Sequence, residues 1–111
     1  MEARKLNEHE LNLVKHLVKI SEKEGSYNIP ALVEELKDGK MGSIRFVSGE
    51  PNRKYGADLV QVEYKDEDSV PVIITLTLDN QQQLYEFEFW KVDFEKLLRY
   101  PKPDEVVLIK N

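Results

Sequence analysis

Residues 72–94, VIITLTLDNQQQLYEFEFWKVDF, are the stretch on which the predicted fold depends. Apolar and polar residues alternate along its first half, the pattern of a β-strand whose successive side chains point to opposite faces. Residues 79–82 (DNQQ) then interrupt the pattern with turn-forming residues. The second half alternates the aromatic residues Tyr85, Phe87 and Phe89 with the glutamates Glu86 and Glu88. The stretch therefore predicts an antiparallel hairpin with one buried and one solvated face.

The alternation changes after Phe89, where Trp90 and Lys91 exchange the positions expected for an apolar and a polar residue. A β-bulge, in which one strand carries an extra residue, would produce this change. A Trp90 that faces solvent would produce it as well. The sequence leaves both interpretations open.

Length and composition predict one cytoplasmic domain. A chain of 111 residues is the size of a single domain with one core. It contains no cysteine, which excludes disulfides and thiolate metal sites. No apolar run approaches the roughly 20 residues needed to cross a bilayer, so we expect no membrane association. The first ten residues, MEARKLNEHE, lack the apolar segment of a secretory signal.

The distribution of charge predicts an acidic sheet. The formal net charge is -5, which argues against a general affinity for nucleic acid. Residues 58–95 contain ten acidic and two basic residues, a local balance of -8, so the remainder of the chain is +3. The predicted strands therefore carry most of the negative charge.

Two helices are predicted near the N-terminus. The first covers residues 7–23, because Asn7 and Glu10 form a capping-box pattern and an apolar stripe follows with helical spacing. The second begins near Pro30, which suits a first helical position, and ends at residues 38–39 (DG). A third, short helix is predicted over residues 93–100, with Asp93 as its cap.

The remaining apolar segments predict strands at residues 44–47, 59–65 and 106–109 in addition to the hairpin. The resulting fold class is α+β, with two N-terminal helices packed on one face of a mainly antiparallel sheet of four or five strands.

The residues that could carry chemistry do not form a catalytic or metal-binding pattern. His9 and His16 lie two helical turns apart, about 10.5 Å of rise, whereas zinc holds each nitrogen at about 2.0 Å. Residues 39–43 (GKMGS) lack the spacing of a phosphate-binding loop, although their amides could form a small anion nest. Residues 66–68 (DED) lack the calcium-loop pattern. We therefore predict no enzyme activity, no metal and no cofactor.

Two motifs resemble a known family. Residues 38–43 (DGKMGS) and 90–94 (WKVDF), on either side of the predicted sheet, resemble a family of small uncharacterised bacterial single-domain proteins, a domain of unknown function with GxMGS and WKVDF-like motifs. The resemblance runs from the first helix to about Pro101. The chain departs from the family pattern at two positions. A second glycine is common where Lys40 stands, and an aspartate is common where Glu88 stands. The resemblance implies a compact bacterial cytoplasmic domain and supplies no activity or catalytic residues.

The function predicted from these features is protein binding without catalysis. Glu63, Glu86 and Glu88 should lie on the solvated face of the sheet with Trp90 at its margin, where they would bind a basic protein. An immunity-type protein that neutralises a bacterial toxin would have these properties. The alternatives are a small-ligand-binding protein or enzyme with a pocket near Trp90 and the GKMGS loop, and a homodimer that pairs through residues 106–109.

Overall fold

The structure of the protein is a computed structural model that describes residues 2–23 and 25–110. Within these residues the chain forms one α-helix and a seven-stranded sheet, in which every neighbouring pair of strands is antiparallel. The elements are β1 (Ala3–Lys5), α1 (Glu8–Ile20), β2 (Leu32–Glu35), β3 (Ile44–Phe46), β4 (Tyr55–Lys65), β5 (Pro71–Asp79), β6 (Leu84–Lys91) and β7 (Val107–Lys110). A short 3-10 helix, Pro103–Glu105, precedes β7. The strands lie in the order β1-β2-β3-β6-β5-β4-β7.

The predicted fold class is wrong, because the described part of the chain is mainly β and has one helix rather than two. The segment predicted as the second helix forms β2, in which Val33 pairs with Arg4 of β1 and Phe46 of β3. Its apolar spacing over a few residues fits a helix and a strand equally well. Pairing on both sides satisfies the backbone of β2 and buries Val33, so the sheet prevails over the local pattern.

Helix α1 forms as the sequence predicts, although it is shorter. The Asn7 side chain accepts a hydrogen bond from the Glu10 amide, and the Glu10 carboxylate accepts one from the Asn7 amide. This capping box satisfies two amides that the first turn of a helix leaves unpaired. The helix ends at Ile20 rather than at residue 23, and Glu22 follows with a left-handed φ of 64°.

The core lies between α1 and one face of the sheet, called here the inner face. The helix contributes four buried residues to it, which are Leu13, Val14, Leu17 and Val18. The central strands contribute residues at alternating positions, which include Val62, Ile74, Leu76, Phe87 and Phe89. The Phe87 and Phe89 rings meet edge to face, with 5.1 Å between their centroids. The opposite, outer face of the sheet has no helix over it among the described residues.

Strand β6 contains a bulge before Phe87, and not after Phe89, where the sequence left a bulge as one of two interpretations. Leu76 pairs with Phe87 and Leu78 pairs with Leu84, so Tyr85 and Glu86 together stand opposite one residue, Thr77. The Thr77 hydroxyl accepts a hydrogen bond from the Glu86 amide at 3.0 Å. The extra residue turns Tyr85 away from the core. The prediction that Tyr85 faces inward together with Phe87 and Phe89 is therefore wrong. Beyond the bulge the alternation is regular, so Trp90 faces solvent and Lys91 faces inward.

The segment after β6 is irregular where a helix was predicted. Phe94 adopts a left-handed φ of 64°, which a continuing helix does not allow. The Asp93 carboxylate accepts a hydrogen bond from the Glu95 amide, two residues on, as in an Asx turn rather than a helix cap. The amides of Leu98 and Arg99 donate to the buried Asp66 carboxylate instead of to helical carbonyls. Contacts distant in sequence therefore determine this segment.

Candidate functional site

Cross-strand pairing brings the predicted binding residues together on the outer face. Glu63 of β4 stands opposite Ile73 of β5, and Ile73 stands opposite Trp90 of β6. In the neighbouring row Thr75 of β5 lies opposite Glu88 of β6. Residues that face each other across antiparallel strands project from the same side of the sheet. The four predicted residues Glu63, Glu86, Glu88 and Trp90 therefore share the outer face, as the alternation indicates.

Trp90 and Phe94 form an exposed aromatic pair at one end of this face, called here the aromatic corner. Their ring centroids are 6.3 Å apart. Trp90 is 49% exposed and Phe94 is 68% exposed. The row that begins at Trp90 continues through Ile73 and Glu63 to Val107 of β7, which is 69% exposed. An apolar and aromatic surface with one carboxylate thus crosses four strands.

The backbone of Phe94 marks the aromatic corner as unusual. Its φ of 64° places a bulky aromatic residue in the left-handed region, where the Cβ of an L-residue is crowded. Its amide donates to the Lys91 carbonyl at 2.9 Å and closes a tight turn directly after β6. A glycine would adopt this conformation without strain. The turn therefore holds a large apolar ring in solvent at a cost in local conformational energy.

The carboxylates of the outer face differ in how they are paired. Glu86 is mostly buried and accepts a hydrogen bond from the Arg45 Nε at 2.8 Å, so its charge is balanced. Glu88 makes no ion pair within the described residues. Partial loss of hydration, followed by repulsion from Glu86 and Asp58, raises the pKa of Glu88 above its usual value. A concentration of negative charge around Glu88 explains the repulsive part of this shift.

An arginine cluster beside the carboxylates was not predicted. The Arg45 and Arg53 guanidinium carbons lie 5.4 and 4.9 Å from the centroid of the Tyr85 ring. Arg53 also donates to the Asp79 carboxylate at 2.8 Å and to the Leu84 carbonyl at 2.6 Å. The bulge in β6 creates this arrangement, because it turns Tyr85 to the outer side. No local pattern in the sequence reports a bulge at that position.

An ion-pair cluster joins the end of β6 to the β4–β5 turn. It consists of the Lys91 ammonium and the carboxylates of Asp66 and Asp68. The Lys91 Nζ lies 3.0 Å from Asp66 and 2.8 Å from Asp68. The Lys91 and Asp66 side chains are completely buried, whereas that of Asp68 is 38% exposed. Residues 66–68 therefore anchor the segment after β6 and do not form a loop open to calcium.

The two histidines are not brought together with other ligands. His9 is exposed and His16 is partly buried on α1, and the His9 ring lies 6.4 Å from that of Tyr100. Within residues 2–23 and 25–110, no group of three or more His, Cys, Asp or Glu side chains could hold a metal ion. The absence of a metal stays a prediction.

The GKMGS loop borders a cavity of about 640 Å³, but Trp90 takes no part in it. The cavity is lined by residues of the loop, of the start of α1 and by Tyr100. The Asp38 carboxylate accepts hydrogen bonds from the Met41 and Ser43 amides at 3.1 and 3.0 Å. Two of the loop amides that could have formed an anion nest, those of Met41 and Ser43, thus bind a carboxylate of the chain itself. The predicted pocket shared by Trp90 and the loop is wrong in its Trp90 part, since Trp90 belongs to the outer face.

Comparison with known proteins identifies a family. Residues 3–101 match the model of a domain of unknown function (DUF6984), and the chain belongs to that family. No curated protein matches the chain, and no solved structure matches it. Among the described residues, no helix combines the length and the apolar character needed to span a membrane.

Proposed function

We propose that this protein is a non-catalytic protein-binding domain whose outer face binds a basic protein. The observation that carries the proposal is the aromatic corner, where Trp90 and Phe94 stand exposed at one end of the face that also carries Glu63 and Glu88. Exposed aromatic residues that are surrounded by polar groups are typical centres of binding energy in protein interfaces.

Conformational strain supports a role for Phe94 beyond stability. A side chain that is 68% exposed gains little from burial, and its left-handed backbone costs roughly 1–2 kcal/mol relative to an unstrained residue. Strained positions persist where the surrounding structure holds them, and they cluster at binding sites. A partner that covers the Phe94 ring would recover apolar burial that the free domain lacks.

Charge determines the kind of partner we propose. Glu88 lacks an ion pair within the described residues, and loss of hydration, followed by repulsion from Glu86 and Asp58, raises its pKa. A lysine or arginine of a partner placed near Glu88 would relieve this repulsion. Complementary charge also accelerates encounter, most strongly at low salt. A basic surface around an apolar contact therefore fits the outer face.

We further propose that the domain acts as an immunity-type protein in the bacterial cytoplasm, where it would neutralise a basic, nucleic-acid-binding toxin. Such a partner would place its own cationic surface on the acidic face and thereby lose access to its substrate. Bacterial origin and cytoplasmic location belong to this proposal.

The test is recovery of a partner by the immobilised domain, compared across matched variants. The face variant carries Glu63→Lys and Glu88→Lys. The control carries Glu8→Lys and Glu22→Lys, an equal change in net charge at exposed residues of α1, which covers the inner face, and of the turn that follows it. We expect the wild type and the control to recover the same basic protein and the face variant to lose it. Equal recovery by all three would refute the proposal.

Two further variants test the aromatic corner with the recovered partner. Trp90→Ala should weaken binding about 30-fold, which is ~2 kcal/mol and typical of a central interface residue. Phe94→Gly should weaken binding while leaving the stability of the free domain nearly unchanged, because relief of strain offsets the greater freedom of the unfolded chain. Unchanged affinity in both variants would remove the aromatic corner from the interface.

A homodimer is a second candidate function, favoured by the exposed edge strand β7. Val107, Leu108 and Ile109 are 69%, 45% and 45% exposed, although they form a strand at the edge of the sheet. An unprotected edge strand can pair with a second copy. Light scattering at several concentrations tests this: a monomer at all of them would contradict the dimer, and a dimer broken by Leu108→Lys would support it.

A further inference from the structure

The GKMGS loop runs beside the end of β6, the strand that carries Trp90. Ile44, the first residue of β3, pairs with Phe87 of β6, and within the described residues the pairing of these two strands goes no further along β6. Because the two strands are antiparallel, the loop that precedes Ile44 continues along the later residues of β6. Residues 89–91 of β6 consequently have the loop, and not a strand, on the side away from β5.

Two side chains of the loop bind the backbone groups that this arrangement leaves without a strand partner. The Ser43 hydroxyl accepts a hydrogen bond from the Phe89 amide at 2.9 Å and donates one to the Phe89 carbonyl at 3.3 Å. The Met41 sulfur accepts a hydrogen bond from the Lys91 amide at 3.3 Å. All four residues are buried, so these bonds are shielded from water. The two contacts hold the backbone on either side of Trp90, whose own side chain projects from the outer face.

The same set of backbone bonds extends to Phe94. The Lys91 carbonyl accepts the Phe94 amide at 2.9 Å. The residue whose amide Met41 binds therefore also closes the turn that carries the Phe94 ring. Beyond this turn the Leu97 amide donates to the Lys40 carbonyl at 3.1 Å. The loop thus contacts the chain both before and after the aromatic corner.

The loop holds an unusual backbone shape that presents these two side chains to β6. Gly39, Lys40 and Gly42 have positive φ values of 74°, 63° and 104°. Glycine adopts such values without strain, whereas Lys40 does so at a cost in conformational energy. The Asp38 carboxylate accepts the backbone amides of the two residues whose side chains bind β6, at 3.1 and 3.0 Å. These bonds fix the positions from which the sulfur and the hydroxyl reach the strand.

We infer that the GKMGS loop orients the aromatic corner for binding, with Met41 and Ser43 as positioning residues. The inference rests on the proposed protein-binding function, because the corner is the surface that the loop serves. Trp90 is 49% exposed, so packing within the domain restricts its side chain only on one side, and its place depends on the backbone that carries it. A side chain that is already held in its bound orientation loses less conformational freedom on association and binds more tightly.

Fluorescence of Trp90 tests the positioning in the free protein, because the chain contains one tryptophan. The test variant is Ser43→Ala. The matched control is Ser21→Ala, which also removes a buried, hydrogen-bonded hydroxyl, one that donates to the Val18 carbonyl at 2.6 Å at the end of α1. Time-resolved anisotropy measures the fraction of the indole orientation that is lost to local motion before the whole domain tumbles. We expect this fraction to rise in Ser43→Ala and to stay at the wild-type value in Ser21→Ala, and an equal fraction in the two variants would overturn the positioning.

Met41→Leu is a second variant, which keeps the volume of the side chain and removes only the sulfur acceptor. It should increase the local motion of Trp90 as well, and it decides the matter if Ser43→Ala does not fold.

Affinity for the partner recovered by the immobilised domain tests the role of the loop in binding. Each loop variant should bind that partner about fivefold more weakly, the usual effect of having to order one large side chain on association, and Ser21→Ala should bind as the wild type does. Greater motion of Trp90 with unchanged affinity would overturn the role of the loop in binding. Recovery of no partner would refute the proposed function and with it that role, whereas the anisotropy of the free protein would still decide whether the loop orients Trp90.

Discussion

Replacement of Asp66 by asparagine should destabilise this protein more than any other single change of a charged residue in the β4–β5 turn. Four donors converge on the Asp66 carboxylate. One oxygen accepts the Leu98 amide at 2.8 Å and lies 3.0 Å from the Lys91 Nζ. The other accepts the amides of Glu67 and Arg99 at 2.8 and 2.9 Å. The Asp66 side chain is fully buried, so water cannot replace any of these bonds.

The size of the effect follows from the number of donors that lose their acceptor. An asparagine side chain keeps one oxygen and presents an amino group where the second oxygen was. Two of the four donors then face a donor, and each buried polar group left unsatisfied costs about 1–3 kcal/mol. Breaking one side of a buried ion pair independently suggests about 3–5 kcal/mol. We expect Asp66→Asn to lose ~3–5 kcal/mol, a large share of the 5–15 kcal/mol by which domains are typically stable.

Urea denaturation at neutral pH measures this loss, and Asp68→Asn is the matched control. Asp68 also pairs with Lys91, at 2.8 Å, but its side chain is 38% exposed and solvent can replace the carboxylate. Asp68→Asn should therefore lower the free energy of unfolding much less than Asp66→Asn does. Equal losses for the two variants, or a loss below ~1 kcal/mol for Asp66→Asn, would refute the assignment of Asp66 as the buried anchor.

The dependence of stability on pH provides a second assay of the same group. Burial alone would raise the pKa of Asp66, but hydrogen bonds from the Leu98 amide, Lys91 and the Glu67 amide outweigh it and lower the pKa. The folded pKa thus lies below the unfolded value of about 3.9. The stabilisation is complete above that unfolded pKa and is lost as the pH falls through the folded pKa. The stability difference between wild type and Asp66→Asn should therefore shrink below about pH 4, and a difference that is constant down to acid unfolding would contradict this.

Two further predictions concern the core and metals. Phe87→Ala should destabilise the protein by ~3–5 kcal/mol, because the Phe87 side chain is fully buried on the inner face of the sheet. Glu86→Ala should cost less than ~1 kcal/mol, because it removes only the ion pair with Arg45, whose side chain is 42% exposed. Urea midpoints that shift equally would show that the register of β6 is wrong. Treatment with EDTA should leave the melting temperature unchanged, because the described residues contain no group able to hold a metal. A fall of many degrees would overturn that prediction.

The candidate site was predictable in part. Alternation along the strands correctly placed Glu63, Glu86 and Glu88 on the outer face, because a side-chain period of two is a local property. The exposure of Trp90 remained open, since a bulge directly after Phe89 would reverse the side on which Trp90 lies. The pairing of Glu86 with Arg45, the Tyr85 arginine cluster and the cavity at Tyr100 join residues far apart in sequence. Such contacts leave no periodic pattern in the chain.

The sequence by itself determined the elements whose stability is local. Helix α1 has its capping box within four residues, and the β5–β6 hairpin has its alternation and its turn in one continuous stretch. Tertiary structure alone decided that residues 32–35 are a strand, because β1 and β3 supply the hydrogen bonds and Val33 enters the shared core. It also decided that Lys91 is buried. A lysine is normally solvated, and only the approach of Asp66 and Asp68 from another turn makes its burial favourable.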